Sequence, residues 1–160
     1  MSAISTCHLK IIFSTFVLLT FFFCQKKEAK TPSSPTTDTI TWISLSYIGG
    51  HAGSYRIIKI TNDSIFAERG ATAHKTHRQK SLPIDYKVWK QLISSINIKS
   101  LDKIESSASI QSLNGIDETF QIRTPKKSYI YVNSYNDTVH YGQLQRFKDQ
   151  LEKILPKEYQ

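Results

Sequence analysis

His74 and His77 stand three residues apart, a spacing that brings two imidazoles to one side of a helix. They fall in a stretch that reads as a strand, where positions i and i+3 point to opposite faces. A zinc site needs at least three protein ligands, and no thiol or acidic side chain stands beside this pair. The pair therefore reads as solvated histidines on a basic hairpin, and no metal or other cofactor is expected. His51 lies within Gly49-Gly50-His51-Ala52-Gly53. Glycine-rich loops cradle phosphate when they lead from a strand into a helix N-terminus. This loop leads from one strand into another, and no Lys-Ser/Thr pair follows it. Its glycines instead suit the positive φ of a wide hairpin, with His51 at the tip where a partner would meet it. Asp117 and Glu118 are neighbours, so on a strand they face opposite ways. Paired hydrolytic carboxylates come from separate elements, about 5–9.5 Å apart. Ser54 and His140 have no nucleophile-elbow context. These features point away from an enzyme. Tyr129, Tyr131 and Tyr135 share one strand parity, with Ile130 and Val132 on the other. If Ile130 and Val132 face the helices, the tyrosines form an exposed aromatic face of the kind that marks binding. If the tyrosines face the core, they are packing.

The remaining reactive side chain is a thiol, Cys24. Met1 to Lys10 carries Lys10 and His8 and no acid, and Ile11 to Phe23 is apolar apart from Ser14, Thr15 and Thr20. A spanning helix needs about 20 apolar residues, so this run is short for a membrane span and suits the core of a secretory signal. Cys24 sits at the border between Phe21-Phe22-Phe23 and Gln25-Lys26-Lys27-Glu28. A cysteine at that border resembles the lipobox of bacterial lipoproteins. The resemblance implies a diacylglycerol on the Cys24 thiol and cleavage that leaves Cys24 as the first residue. Phe23 departs from the pattern, which usually has a small residue there. The other reading is an uncleaved anchor helix extended by residues such as Leu9. Cys7 and Cys24 are the only cysteines, and both lie in the signal region. The domain beyond has no disulfide, no thiol nucleophile and no thiolate ligand.

Gln25 to Thr39 reads QKKEAKTPSSPTTDT, with no large apolar residue and two prolines. This is a tether. Three segments are expected: a signal over 1–23, a lipid-anchored linker over 24–39, and one domain over 40–160. The formal charge is +8, and residues 40–160 hold 17 Lys and Arg against 11 Asp and Glu, a net +6. Basic surfaces attract nucleic acid, anionic lipid or acidic glycans. Basic residues here occur singly or in pairs such as Lys126-Lys127, so they read as scattered solvating charges, and no nucleic-acid partner is expected.

Within 40–160 the apolar pattern changes period along the chain. Ile43, Leu45 and Tyr47 alternate with Ser44 and Ser46, the mark of a half-buried strand. Tyr55–Ile60 and Ser64–Arg69 continue it across an Asn62-Asp63 turn. Thr72–Lys80 is polar and basic, an exposed edge strand or a hairpin arm. Trp89, Leu92, Ile93 and Ile96 then fall on one helical face, with Asp85 a credible N-cap, although Ser81 or Pro83 also suits a start. Ile98 to Asn114 reads as a pinned loop or a helical turn. Asp117–Arg123 and Ser128–Tyr135 form a further strand pair. Leu144, Phe147, Leu151 and Ile154 form a narrow apolar stripe that Pro156 ends. The order βββ(β)-α-ββ-α predicts an α+β fold: an antiparallel sheet of five to six strands with two helices on one face.

A strand ending in Tyr47-Ile48-Gly49-Gly50 is followed by a strand from Ser54 to Ile60 and a helix over Trp89–Ile96. A strand opened by Asp117 and a C-terminal amphipathic helix complete this order. It resembles emfourin-type proteins, small inhibitors of protealysin-like metallopeptidases, over most of residues 42–155. The resemblance is one of pattern and assigns no inhibitory residue. The expected protein is a non-enzymatic, monomeric lipoprotein of the cell envelope, held in the membrane by a lipid on Cys24. Its domain would bind a macromolecular partner, either a peptidase or an envelope component. The expected surface is Gly49, Gly50 and His51 with Tyr129, Tyr131 and Tyr135. The alternatives are a purely structural envelope lipoprotein and, further off, a small hydrolase.

Overall fold

The computed structural model describes residues 39–160. The expected signal, Cys24 and the tether up to Asp38 lie outside the described residues. The elements are β1 (Trp42–Gly49), β2 (Ser54–Ile60), β3 (Ser64–Ala71), β4 (Thr76–Pro83), α1 (Tyr86–Ile93), β5 (Ile116–Arg123), β6 (Ser128–Val132) and α2 (Gly142–Glu152). The strands form one six-stranded antiparallel sheet in the order β4-β3-β2-β1-β5-β6. The architecture is α+β, as the alternation predicts.

Side chains on the covered face of the sheet fall into rows that cross the strands. The first row runs through Leu82, Ile65, Ile60, Ile43, Ile122 and Tyr129. The second runs through Lys80, Ala67, Ile58, Leu45, Phe120 and Tyr131. Their central members are almost fully buried and make the core with Trp89 and Leu92 of α1 and Leu144, Phe147 and Leu151 of α2. Phe147 meets Phe120 edge to face at 6.2 Å. Both helices thus bury their apolar stripes against these two rows.

Local chemistry sets the boundaries. Asp85 caps α1, accepting from the Lys87 N–H at 2.6 Å. Ile98–Lys103 is a 3-10 turn capped by Asn97, with Leu101 pinned in the core. β4 begins at Thr76 rather than Thr72, because Thr72 to Lys75 forms the turn and Lys75 takes φ 49°. β6 ends at Val132 rather than Tyr135, because Asn133 turns to φ 49°. α2 ends at Glu152, three residues short of Leu155, although Leu155 is still buried. Gly49 has φ 139°, and a Cβ there would lie 2.1 Å from the Gly115 carbonyl oxygen. Only glycine lets the β1–β2 loop pass this close to the strand opening β5.

Candidate anion-binding cavity

The third row of the covered face breaks the apolar pattern. It runs through Arg78, Arg69 and Arg56 on three successive strands, then Tyr47 and Glu118. Adjacent strands lie about 4.8 Å apart, so the three guanidinium stems line up over about 10 Å. Each position is an ordinary inward-facing site of its strand, which is why the three arginines share a face. The fourth row, Thr76, Ala71, Ser54, Gly49 and Ile116, is small apart from Ile116. α2 reaches the third row with polar side chains, Lys148 at Glu118 and Glu152 at Arg56. A cavity of about 540 Å³ opens there, lined by the three arginines with Tyr47, Ser54 and Thr76.

Arg56 is paired with a carboxylate, and Arg69 is held by a carbonyl. Arg56 donates from Nη2 to Glu152 Oε1 at 2.8 Å and from Nη1 to the Tyr159 carbonyl at 3.2 Å. Its guanidinium lies over the Tyr47 ring at 4.5 Å. Arg69 donates to the Glu158 carbonyl at 2.6 Å, a neutral acceptor. Arg78 makes no hydrogen bond or ion pair among the described residues. A guanidinium carries five N–H donors, so most donors in the row have no protein acceptor. Like charges directly opposite one another across strands repel. A row of planar, bidentate donors in a concave site is suited to a carboxylate, phosphate or sulfate.

The row ends in a buried network. Glu118 is 5 % exposed and accepts from Tyr141 Oη at 2.6 Å and Lys148 Nζ at 2.6 Å. Burial raises the Tyr47 phenol well above its ordinary range, and the Glu118 carboxylate raises it further. Burial and then the hydrogen bond to Glu118 do the same for Tyr141. Both phenols therefore stay neutral, Tyr47 in the cavity lining and Tyr141 as a donor to Glu118.

The residues singled out in the sequence are scattered. Gly49 and Gly50 take positive φ, as a wide hairpin needs, and His51 is exposed at the tip. Tyr131 is 5 % exposed, in the second row, and its hydroxyl donates to the Leu101 carbonyl at 2.7 Å. Tyr129 is half-buried in the first row and stacks on Tyr131 at 6.4 Å. The tyrosines of β6 thus face the helices, and Ile130 is the outward residue at 60 % exposure. Tyr135 is exposed in the 3-10 turn Ser134–Asn136, off the strand. The three tyrosines form no common exposed face. Tyr129 also lies about 20 Å along the strands from the Gly49 row. The glycine loop borders the cavity, and the tyrosine pair sits at the other end of the sheet.

Asp117 and Glu118 do face opposite sides. Asp117 accepts from Ser109 Oγ, the Ile110 N–H and Asn133 Nδ2. Burial alone would raise its carboxyl, but these hydrogen bonds outweigh it and hold the group below the usual carboxylate range. His77 Nδ1 lies 2.8 Å from Tyr55 Oη and 3.6 Å from Glu68 Oε1, while His74 sits in the β3–β4 turn. No group of three or more His, Cys, Asp or Glu gathers around a metal-sized space among the described residues. His140 lies beside Asp137, and Ser54 lines the cavity. No helix among the described residues is long and apolar enough to cross a membrane. No protein-family model and no curated protein matches the chain.

The arginine row is the feature that reading the sequence alone misses. Its signal is the Asn62-Asp63 turn, since Arg56 and Arg69 stand at equal distance on either side of it.

Proposed function

We propose that the chain is a lipid-anchored, non-catalytic binding protein that grips an anionic group of a macromolecular partner at the loop end of its sheet. The observation that carries the reading is the row Arg56, Arg69 and Arg78 in one cavity, with most of its donors unengaged. The positive-φ loop Gly49–Gly53 stands beside that cavity, as a presented loop of a binding module would. Inhibition of a peptidase is one concrete form of the activity, in line with the emfourin-like order of elements. The anchor is Cys24, at the border of an apolar run and a polar tether.

The test of the cavity uses simple anions. Sulfate, inorganic phosphate and citrate should raise the melting temperature of the full chain in detergent, with half-saturation at millimolar concentration or below. The double variant Arg69→Ala/Arg78→Ala should lose that response. An equal response in both proteins would remove the cavity from the reading. The anchor is tested by labelling cells with a fatty-acid analogue, and equal label in wild type and Cys24→Ala would overturn it. The inhibitory form is tested by titrating the chain against a panel of metallopeptidases.

A further inference from the structure

Thr76 and Arg78 of β4 line the cavity and are exposed, and β4 is the edge of the sheet. Every β4 residue except Leu82 is exposed, and no described element covers the strand's outer side. The direction of its backbone groups follows from register. The Ile84 N–H donates to the Asp63 carbonyl, which makes Asp63 and Ile84 a hydrogen-bonded pair. Antiparallel pairs alternate, so Leu82, Lys80, Arg78 and Thr76 bond inward to β3. His77, Gln79 and Ser81 therefore present their N–H and C=O groups outward, and Pro83 ends the row. Side chains alternate in step: Arg78, Lys80 and Leu82 lie on the covered face, one in each of the three rows.

Basic side chains on an edge strand ordinarily discourage strand addition, and they do so by sign. In the antiparallel register centred on Gln79, a second copy would set Arg78 opposite Lys80 twice over, cation against cation. A strand carrying carboxylates reverses that sign and extends each row by one matching member. We propose that the partner segment is an extended acidic strand that adds antiparallel to β4. Its acidic side chains lie opposite Arg78 and Lys80, and an apolar side chain lies opposite half-buried Leu82. The mode rests on the reading of the arginine row as a seat for an anionic group. The carboxylate opposite Arg78 continues the row Arg56, Arg69, Arg78 and enters the mouth of the cavity. The carboxylate opposite Lys80 replaces Glu158, which holds Lys80 only through an exposed pair at 3.5 Å. Backbone bonds to residues 77, 79 and 81 supply register, and the alternating side chains supply selectivity.

The probe is a fluorescein-labelled peptide, Thr-Val-Thr-Glu-Thr-Glu-Thr, titrated against the full chain in detergent and read by anisotropy. In the proposed register its threonine N–H groups face β4 and its glutamate N–H groups face away. N-methylation of the threonines should weaken binding by about tenfold or more, which corresponds to about 1.4 kcal/mol. N-methylation of the glutamates should leave it unchanged. Because the change is in the peptide, the result does not depend on a variant folding. Gln79→Pro should weaken binding in the same way, and Gln79→Ala should not. Equal binding by the two methylated peptides would overturn strand addition. If Arg69→Ala/Arg78→Ala still lost the peptide and the anion response in that case, the cavity reading would stand alone. If the arginine variant bound peptide and phosphate like the wild type, both would fall. A peptide with glutamine in place of glutamate that bound equally well would also overturn the proposal.

Discussion

Replacing Lys148 with methionine tests whether the buried network at the end of the arginine row holds the domain together. Glu118 is 5 % exposed and the Lys148 side chain 14 % exposed, with 2.6 Å between Nζ and Oε2. Methionine keeps the length of the stem and removes the charge. Glu118 then keeps the hydroxyls of Tyr141 and Tyr47 as side-chain donors, both neutral. Breaking a buried pair by removing one partner costs about 3–5 kcal/mol, because the remaining charge is stranded. Lys148 keeps some contact with water, so the low end applies, about 3 kcal/mol. For a domain of this size 1 kcal/mol moves the melting temperature by about 4 °C, so a fall of about 12 °C is expected. Thermal unfolding followed by circular dichroism at neutral pH reads this directly. The double variant Glu118→Gln/Lys148→Met should recover much of the loss, because the stranded charge is gone. A loss below about 1 kcal/mol in the single variant, or a double variant no better than the single, would refute the reasoning.

Asp117 predicts a pH dependence. Its carboxyl is held below the usual range in the folded state, so its contribution is present above about pH 4, the ordinary unfolded value, and is lost as the pH falls through the lower folded value. Asp117→Asn should flatten the acid limb of a urea-stability profile, and an unchanged limb would show that other carboxylates set it. Tyr131→Phe removes the donor to the Leu101 carbonyl and should cost about 1–2 kcal/mol in urea unfolding, with little change in anion binding. Gly49→Val should cost more than 2 kcal/mol, or prevent folding, since its Cβ meets the Gly115 carbonyl oxygen and its φ is 139°.

The elements were largely legible because the two periods are clean. Ile43 and Leu45 alternate with serines, and Trp89 and Leu92 recur at helical spacing, so strand and helix declare themselves. The face of β6 was not legible. Ile130 and Val132 are as apolar as Tyr129 and Tyr131, so a period of two does not say which set turns inward. The register decides it, since Tyr131 lies opposite Phe120 and Tyr129 opposite Ile122. The arginine row was half legible. The Asn62-Asp63 turn pairs Arg56 with Arg69, but the turn that brings Arg78 beside them, Thr72 to Lys75, contains neither glycine nor proline. Lys75 takes the left-handed position that glycine or asparagine would have advertised.

The placement of the arginines follows from how far the apolar rows extend. Along β1, β2, β3 and β5 the inward positions are apolar for two rows and then change to Tyr47, Arg56, Arg69 and Glu118. α2 meets the third row through polar side chains, Lys148 on Glu118 and Glu152 on Arg56, so the change of residue type coincides with the cavity. A sheet that needed only stability would continue isoleucine or valine into the third row, where the rest of the core already sets the pattern. Three arginines in adjacent strands repel one another; Arg56 makes a close ion pair with Glu152, and Arg78 has only the more distant charge of Glu158, which pairs with Lys80. A departure from local consistency that is repeated on three strands at one level of the sheet is the kind of feature expected where a protein binds something. The buried Glu118–Lys148 pair closes one end of that level, and the edge strand β4 leaves the other end exposed.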